Sequence, residues 1–352
     1  MTADVAILIV THNSREYLAD LFASLRRFTD ERVPILCVDN ASTDDTVVGL
    51  RQEQVVTPNL EVLEQEVNSG FAGGNNIALI RARQLGVRFV LLLNPDTVVT
   101  RAGWLDDLIA VMHARPSVGA AQPLLMLHEE PELINSAGNA LHYCGFTYCG
   151  GYRKQKEDVG LNGEVKEITY ATGAALLLRM SALDEVGDFD ETLFLYLEEL
   201  DLQLRLRQAG YECVIVPSVR VLHKYTATFS PRKYAWLERN RWMVLLKNWP
   251  LGRLVAASPA LAATELAVLF VAAKNGWLRE KLWAYGELVR HMPETLASRK
   301  EVMARGQAGD ASHLTSRLDH EGFDHPLIRR VANPVLEAYW RLASRVLDAT
   351  GA

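Results

Sequence analysis

Apolar residues in this chain fall in short unbroken runs that stop abruptly at polar clusters. Val5-Ala6-Ile7-Leu8-Ile9-Val10 stops at Thr11-His12-Asn13-Ser14, Pro34-Ile35-Leu36-Cys37-Val38 stops at Asp39-Asn40-Ala41-Ser42, and residues 87–93 stop at Asn94-Pro95-Asp96. Runs of this length without alternation read as strands buried on both faces. Between them the spacing predicts helices over residues 15–28 and from 77 to 85, with another strand near 60–64. Strand, helix and strand in this order predict a parallel sheet with right-handed crossovers, in which ligands bind beyond the carboxyl ends of the strands. The polar clusters at those ends are the first candidates for chemistry.

Asn68-Ser69-Gly70-Phe71-Ala72-Gly73-Gly74-Asn75-Asn76 opens one of the helices. Glycines there let a phosphate or sugar approach the backbone near a helix N-terminus, although a tight turn needing positive φ accounts for the same residues. Pro95 cannot donate to a ladder, so Asp96 lies just past the end of a central strand. From there it can hold a divalent cation against a nucleotide diphosphate, or cap the turn before a helix near Ala102. Residues 124–167 turn to glycine and polar side chains and read as a variable, partly mobile insertion over the site. Residues 171–178 resume the sheet, and return strands are expected at 212–217 and 219–223.

The densest mixture of acidic and apolar side chains is Glu191-Thr192-Leu193-Phe194-Leu195-Tyr196-Leu197-Glu198-Glu199-Leu200-Asp201-Leu202. Its leucines supply a buried wall, so Glu198, Glu199 and Asp201 sit partly desolvated, where a carboxylate must pair, bind a cation or handle a proton. A helix over 193–209 puts Glu198 and Asp201 on one face and turns Glu199 elsewhere. The plainer reading pairs Asp201 with Arg205 at i+4 and leaves both glutamates solvated; this stretch alone does not choose.

Toward the C-terminus, a helix over 232–249 mixes Tyr234, Trp236, Trp242 and Trp249 with Arg232, Lys233, Arg239, Arg241 and Lys247. Such a mixture suits a membrane interface or a glycan surface. Residues 254–273 are apolar for about the length of a span, but Pro259 and Glu265 interrupt them, so a buried or interface-lying helix is expected. Residues 277–303 and 326–347 read as amphipathic, with Leu278, Leu282, Leu288 and Val289 on one side, and the link over 306–319 is expected to be mobile. The predicted division is a domain over 1–250 and a helical region over 251–352 that docks near an acceptor, a membrane surface or a second subunit of a homo-oligomer.

Composition narrows the class. Of the 352 residues 49% are apolar and 23% charged, with a net charge of −6, which is neither a disordered composition nor the basic excess of a nucleic-acid binder. Cys37, Cys144, Cys149 and Cys213 fit neither a C-x-x-C zinc pattern nor a disulfide framework, and the start has no basic n-region. A cytoplasmic protein is the expectation.

Val10-Thr11-His12-Asn13-Ser14, Val38-Asp39-Asn40-Ala41-Ser42-Thr43-Asp44, the 68–75 loop, Leu93-Asn94-Pro95-Asp96, Gly187-Asp188-Phe189-Asp190-Glu191 and Tyr196-Leu197-Glu198-Glu199-Leu200-Asp201-Leu202 follow one another in this order. With them the chain resembles family 2 glycosyltransferases, nearest the rhamnosyltransferase-like branch, over roughly residues 4–250. The resemblance implies an α/β GT-A fold, with a mixed, mostly parallel sheet flanked by helices and a C-terminal helical appendage. It implies a UDP- or dTDP-sugar donor, inversion by single displacement, a divalent metal (Mg or Mn), and transfer of a sugar such as rhamnose to a cell-surface polysaccharide or lipid-linked glycan. Work on the cytoplasmic face of the cell membrane goes with that acceptor.

Carried over by residue, the resemblance makes Thr11, Asn13, Asp39, Asn68, Gly70, Gly73 and Asn75 donor contacts. Asn94 and Asp96 stand in the family's D-x-D-like motif, and Arg239 or Arg241 assists the departing diphosphate. Asp96 and His223 become metal ligands, although a lone histidine after an apolar strand is as readily structural. Glu199 becomes the catalytic base, with Glu198 and Asp201 the alternatives, and Thr172, Gly173 and Asp190 fall on the acceptor side. Two positions depart from the pattern: Asn94 stands first in the D-x-D-like motif, as is common in this branch, and Glu199 stands where the family's Glu-Asp motif carries aspartate. A sugar nucleotidyltransferase is a rival, but it wants a glycine-rich basic loop that residues 11–17 lack. A non-catalytic glycan- or nucleotide-binding module is another, and it would not require a placed base.

Overall fold

The computed structural model describes residues 4–225, 230–305, 313–318 and 326–350; of the 306–319 link, residues 306–312 and 319 lie outside the described residues. Two compact units form, one from residues within 1–139, 149–206 and 210–226, the other from residues within 140–148, 207–209 and 227–352.

The first unit is built on one sheet. Its strands are β1 (Val5–Thr11), β2 (Ile35–Asn40), β3 (Leu60–Gln65), β4 (Phe89–Leu93), β5 (Thr97–Val99), β6 (Val118–Leu127) and β7 (Ile134–Ser136). After the short β8 (Asn139–His142) and β9 (Thr147–Cys149), the sheet gains β10 (Lys166–Glu167), β11 (Ala175–Arg179) and β12 (Glu212–His223). The order is β10-β12-β6-β11-β4-β1-β2-β3, with β5 on β12 and β7 on β6. β3, β2, β1 and β4 run parallel, as do β6 and β12, and β11 enters antiparallel between β4 and β6. Helices α1 (Arg15–Phe28), α2 (Thr46–Val56), α3 (Gly70–Leu85) and α4 (Trp104–Ala114) make the returns, and α5 (Met180–Val186) and α6 (Glu198–Gln208) follow β11. The expected mixed, mostly parallel sheet is therefore present. Its core is the apolar runs themselves, with Ile7, Ile9, Leu91, Leu93 and Leu177 all buried.

Several local expectations change. α3 begins at Gly70, so Gly73 and Gly74 lie inside its first turns, where a Cβ would meet the Ser69 side chain at 2.6 Å and Val10 Cγ1 at 2.7 Å. These glycines let the helix settle onto β1 and its own entry turn. The helix expected from 193 starts only at Glu198: Glu191–Leu193 form a 3-10 turn, and Phe194, Tyr196 and Leu197 take φ of +62°, +72° and +68°, which no helix continues through. Residues 124–127, expected to open a mobile insertion, are the buried end of β6, and much of the stretch beyond pairs into short strands. β12 is one strand rather than two, because its ladder to β6 skips residues 217–219 around Pro217 and resumes at Arg220.

The second unit is helical, with α7 (Pro231–Asn248), α8 (Leu251–Lys274), α9 (Leu278–Arg290), α10 (Met292–Ala304) and α11 (Asn333–Thr350). β8 and β9 form a small sheet with β13 (Leu314–Thr315). Tyr143 stacks on Trp340 with ring centroids 4.4 Å apart, in an apolar cluster with Leu245, Trp249 and Leu336. Residues 277–303 make two helices, since Pro293 opens α10. The apolar side of α9 faces out: Leu282 and Val289 are 56% and 70% exposed, while Lys281 is wholly buried between Glu238 and Glu265. Ion pairing has overridden the apolar spacing. Nor is α8 a buried helix. It is long and apolar enough to cross a membrane by length and composition, and 17% of its most apolar window is buried.

Candidate active site

At the carboxyl ends of β1 and β2, Thr11 Oγ1 donates to Asp39 Oδ1 (3.0 Å) across the parallel pairing that sets the two residues side by side. Ser42 donates to the same carboxylate from Oγ (2.6 Å) and from N (3.0 Å). Asn13, with φ of +53°, accepts the Thr43 amide (2.8 Å) and the Asp44 amide (3.3 Å) on Oδ1. Thr11 and Asp39 are buried, so all three side chains shape the loops that follow the strands.

Asn40 had no role in the sequence reading beyond its place in a motif. Its Nδ2 donates to Gly70 O (2.7 Å), and its Oδ1 accepts from Ser69 N (2.9 Å) and Oγ (3.1 Å), which pins the start of α3 to the end of β2. Asn68 Oδ1 accepts from Gly70 N (2.8 Å), and Asn75 Nδ2 donates to Phe71 O (2.9 Å). The same helix start grips the acidic loop. Ala72 N donates to Phe194 O (3.3 Å), and Asn76 bonds both Phe189 O (3.0 Å) and Phe189 N (3.1 Å), 113 residues away, as well as Glu191 (2.9 Å). Glycine segment and acidic loop are thus one construction.

Pairing of β5 with β12 sets Thr97 opposite His223, which brings Asp96 Oδ2 to 3.3 Å from His223 Nε2. Asn94 acts through its backbone: its N donates to Ala174 O (2.9 Å) and its O accepts from Thr97 Oγ1 (2.7 Å). Buried Asn135 meets His223 Nδ1 with Oδ1 (2.8 Å), which orients the ring with Nε2 toward Asp96. Asp96 Oδ1 is buried without a hydrogen-bond partner. That donor set fits a divalent cation. Among the described residues no group of three or more His, Cys, Asp or Glu could hold a metal, so phosphate and water would have to complete the coordination.

The left-handed run delivers Glu198 and Glu199 into the first turn of α6. Glu198 is 3% exposed with Oε2 unpartnered, and burial together with the neighbouring Glu199 pushes its carboxyl well above the usual range. Glu199 keeps part of its surface open, and burial pushes its carboxyl up to about 7, against the pull of nearby backbone amides. Gly173 lies alongside: a Cβ there would be 3.9 Å from Glu199 Cβ and 3.3 Å from the Phe71 ring. Buried Gln203, one turn after Glu199, accepts from Ala171 N (2.7 Å) and donates to Ala171 O (2.8 Å) and Glu199 O (3.0 Å). Gln122 accepts from Thr172 N (2.9 Å). These two glutamines, unmarked by any sequence signal, hold the 171–174 loop against Glu199.

Asp201 has a different position. It is wholly buried and pairs with Arg205 Nε (3.0 Å), whose guanidinium also donates to the carbonyls of Val186, Gly187 and Asp188. Asp190 Oδ1 accepts from Thr192 N (3.1 Å) and Oγ1 (2.6 Å) and caps the 3-10 turn. Half of the plainer reading holds: Asp201 pairs with Arg205, but Glu198 is buried rather than solvated. Arg239 and Arg241 belong to α7 in the helical unit. Arg241 is held there by Glu238 (2.8 Å) and Glu265 (2.6 Å), and Arg239 lies over the Trp236 ring at 4.4 Å.

The sequence model of glycosyl transferase family 2 matches residues 6–187, just over half of the chain, and takes in the Thr11, Asp39, Gly70 and Asp96 segments. The chain belongs to glycosyl transferase family 2. This glycosyltransferase is 29% identical over 243 residues to N-acetylglucosaminyl-diphospho-decaprenol L-rhamnosyltransferase of Mycobacterium tuberculosis (strain CDC 1551 / Oshkosh), covering 63% of this chain and 76% of that one. The rhamnosyltransferase-like resemblance agrees with that relative. Its fold is similar to the crystal structure of GalNAc-T7 with UDP, GalNAc and Mn2+, at a TM-score of 0.57 and 16% identity over 73% of this chain and 51% of that chain. The glycosyltransferase thus spans about half of that protein. It is also similar to S. aureus TarS 1-349 in complex with UDP, at a TM-score of 0.52 and 19% identity over 86% and 88% of the two chains. The fold is GT-A.

Proposed function

We propose that this glycosyltransferase moves a sugar from a UDP- or dTDP-sugar, with dTDP-rhamnose the leading donor, to a lipid-linked glycan, inverting the anomeric carbon in one displacement. The observation that carries this reading is the seating of Glu199 beside Gly173, with a carboxyl that changes charge near neutrality. A base matched to the working pH takes a hydroxyl proton effectively, and a glycine at its side leaves room for the hydroxyl.

In the step, the acceptor hydroxyl attacks the anomeric carbon while Glu199 takes its proton. The bond from that carbon to the diphosphate oxygen breaks on the opposite side, and the nucleoside diphosphate leaves with the electron pair. The loops shaped by Thr11, Asn13 and Asp39 receive the nucleoside, the Asn68, Gly70, Gly73 and Asn75 segment faces the donor, and Thr172, Gly173 and Asp190 border the acceptor. Asp96 and His223 would hold a divalent cation, Mg or Mn, whose charge would offset that gathering on the diphosphate. The unpartnered Asp96 Oδ1 supports that assignment. Glu198, buried and with its carboxyl pushed up by burial and by Glu199, backs Glu199, whereas Asp201, Arg239 and Arg241 serve as scaffold.

The lipid-diphosphate acceptor named for the mycobacterial relative supports a lipid-linked acceptor here, and with it work at the cytoplasmic face of a membrane. On this reading residues 1–250 carry the transfer and the helices of 251–352 dock the enzyme. A thermal-shift panel of UDP, dTDP, GDP and CMP, each with and without Mg or Mn, tests the donor site. UDP or dTDP should raise the melting temperature, more so with metal, by an amount equivalent to about 2.7 kcal/mol at a hundredfold excess over Kd. Silence from all four nucleotides would overturn the donor reading.

A further inference from the structure

Helices α8 and α11 pack on one another, with Ala257 and Leu261 of α8 sharing an apolar cluster with Leu336 and Trp340 of α11, and Tyr339 donating to Ala256 O. Each helix then presents a second apolar face outward. On α8 this face carries Leu251, Val255, Leu266 and Phe270, whose spacings of 4, 11 and 4 residues keep them on one side of the helix, and they are 63–69% exposed. No exposed residue between 251 and 270 is charged. The one acid of the helix, Glu265, turns inward and is taken up by Arg241, Lys281, Tyr285 and Trp242 Nε1 (3.1 Å).

On α11 and the turn that leads into it, Val331, Val335, Leu342 and Val346 are 56–65% exposed, away from buried Leu336, Trp340 and Leu347. Arg330, Arg341 and Arg345 are exposed beside them, and between residues 327 and 347 four arginines stand against one acid, Glu337. An uncharged apolar face on one helix and an arginine-flanked one on the helix packed against it have the composition of helices lying in a lipid headgroup layer. The chain as a whole carries −6, so this cationic surface is local. In a two-fold contact between copies the same arginine-rich patch would come from both sides, and like charges would oppose it.

We propose that the outward faces of α8 and α11 dock the enzyme on an anionic lipid surface, with the apolar residues entering the headgroup boundary and the arginines meeting lipid phosphates. This names the membrane contact of the proposed lipid-linked reaction, and it stands on the helical unit alone.

The test is sedimentation of the full chain with vesicles of phosphatidylcholine, with and without phosphatidylglycerol. The native chain should sediment with the anionic vesicles and be released by salt. Phe270→Glu and Leu342→Glu should each abolish binding, while Arg341→Gln and Arg345→Gln should each weaken it about fivefold. All four sites are exposed, and Phe270→Ser serves where the glutamate variant fails to fold. The nucleotide thermal shift should be unchanged in every variant, so loss of vesicle binding and loss of the donor site are read separately. Absence of binding to anionic vesicles by the native chain would overturn the proposal. So would binding indifferent to both Phe270→Glu and Leu342→Glu, or a dimer in light scattering that these variants dissolve without any vesicle binding.

Discussion

Gly70 and Phe194 meet so closely that a methyl group on Gly70 would lie 2.3 Å from the Phe194 carbonyl oxygen, at a residue whose φ is already +74°. Both constraints demand glycine, and the contact locks the start of α3 to the left-handed run that aims Glu198 and Glu199. Gly70→Ala is expected to cost about 2–4 kcal/mol through backbone strain and overpacking. Urea denaturation measures it, and a loss below about 0.5 kcal/mol would show that the Phe194 loop yields freely.

Transfer should depend on pH through Glu199, which must be ionised to accept a proton and whose carboxyl is pushed up to about 7. The kcat/KM profile should rise with pH and level off above about 7. A flat profile across neutrality would remove Glu199 from the base's role.

The same group sets a stability trend. Its folded pKa lies above the unfolded value near 4.5, so its contribution is intact below 4.5 and lost as pH rises through about 7. Glu199→Gln removes that penalty. It should stabilise the protein by about 3 kcal/mol at alkaline pH and change little at acid pH, as denaturation at the two extremes would show. An unchanged difference between the two pH values would contradict the buried, proton-holding state of this carboxyl.

Asp96→Asn and His223→Ala should each weaken the metal-dependent part of the nucleotide thermal shift, with the apparent cation affinity falling by roughly 10- to 100-fold. The metal-independent part should persist. Equal metal response in native and variant proteins would place the cation elsewhere.

In the helical unit, Lys281 is buried against Glu238 and Glu265. Lys281→Met leaves Arg241 as the cation shared by both carboxylates and should cost about 3–5 kcal/mol in denaturant unfolding, an effect larger than any surface pair gives. A neutral result would mean that water reaches the cluster.

Much of the sheet is legible in the sequence because parallel strands covered on both faces leave unbroken apolar runs, as in β1, β2 and β4. Asp96 is legible for a related reason, since Pro95 must end its strand. The start of α6 is not, because the positive φ of Phe194, Tyr196 and Leu197 accompanies a grip from α3 that no local pattern records. Gln203 and Asn135 are likewise invisible: each acts on a partner far away in the chain, Ala171 for one and His223 for the other. Lys281 carries no signal in the sequence either, since its burial depends on Glu238 and Glu265 from two other helices.

Glu199 as the base is tested most directly by transfer from dTDP-rhamnose and UDP-sugars by Glu199→Gln, read as nucleoside diphosphate release in the presence of a lipid-diphosphate-linked sugar. A loss of roughly 10²- to 10⁴-fold is expected, with the nucleotide thermal shift intact. Transfer within a few-fold of native would contradict Glu199 as the base.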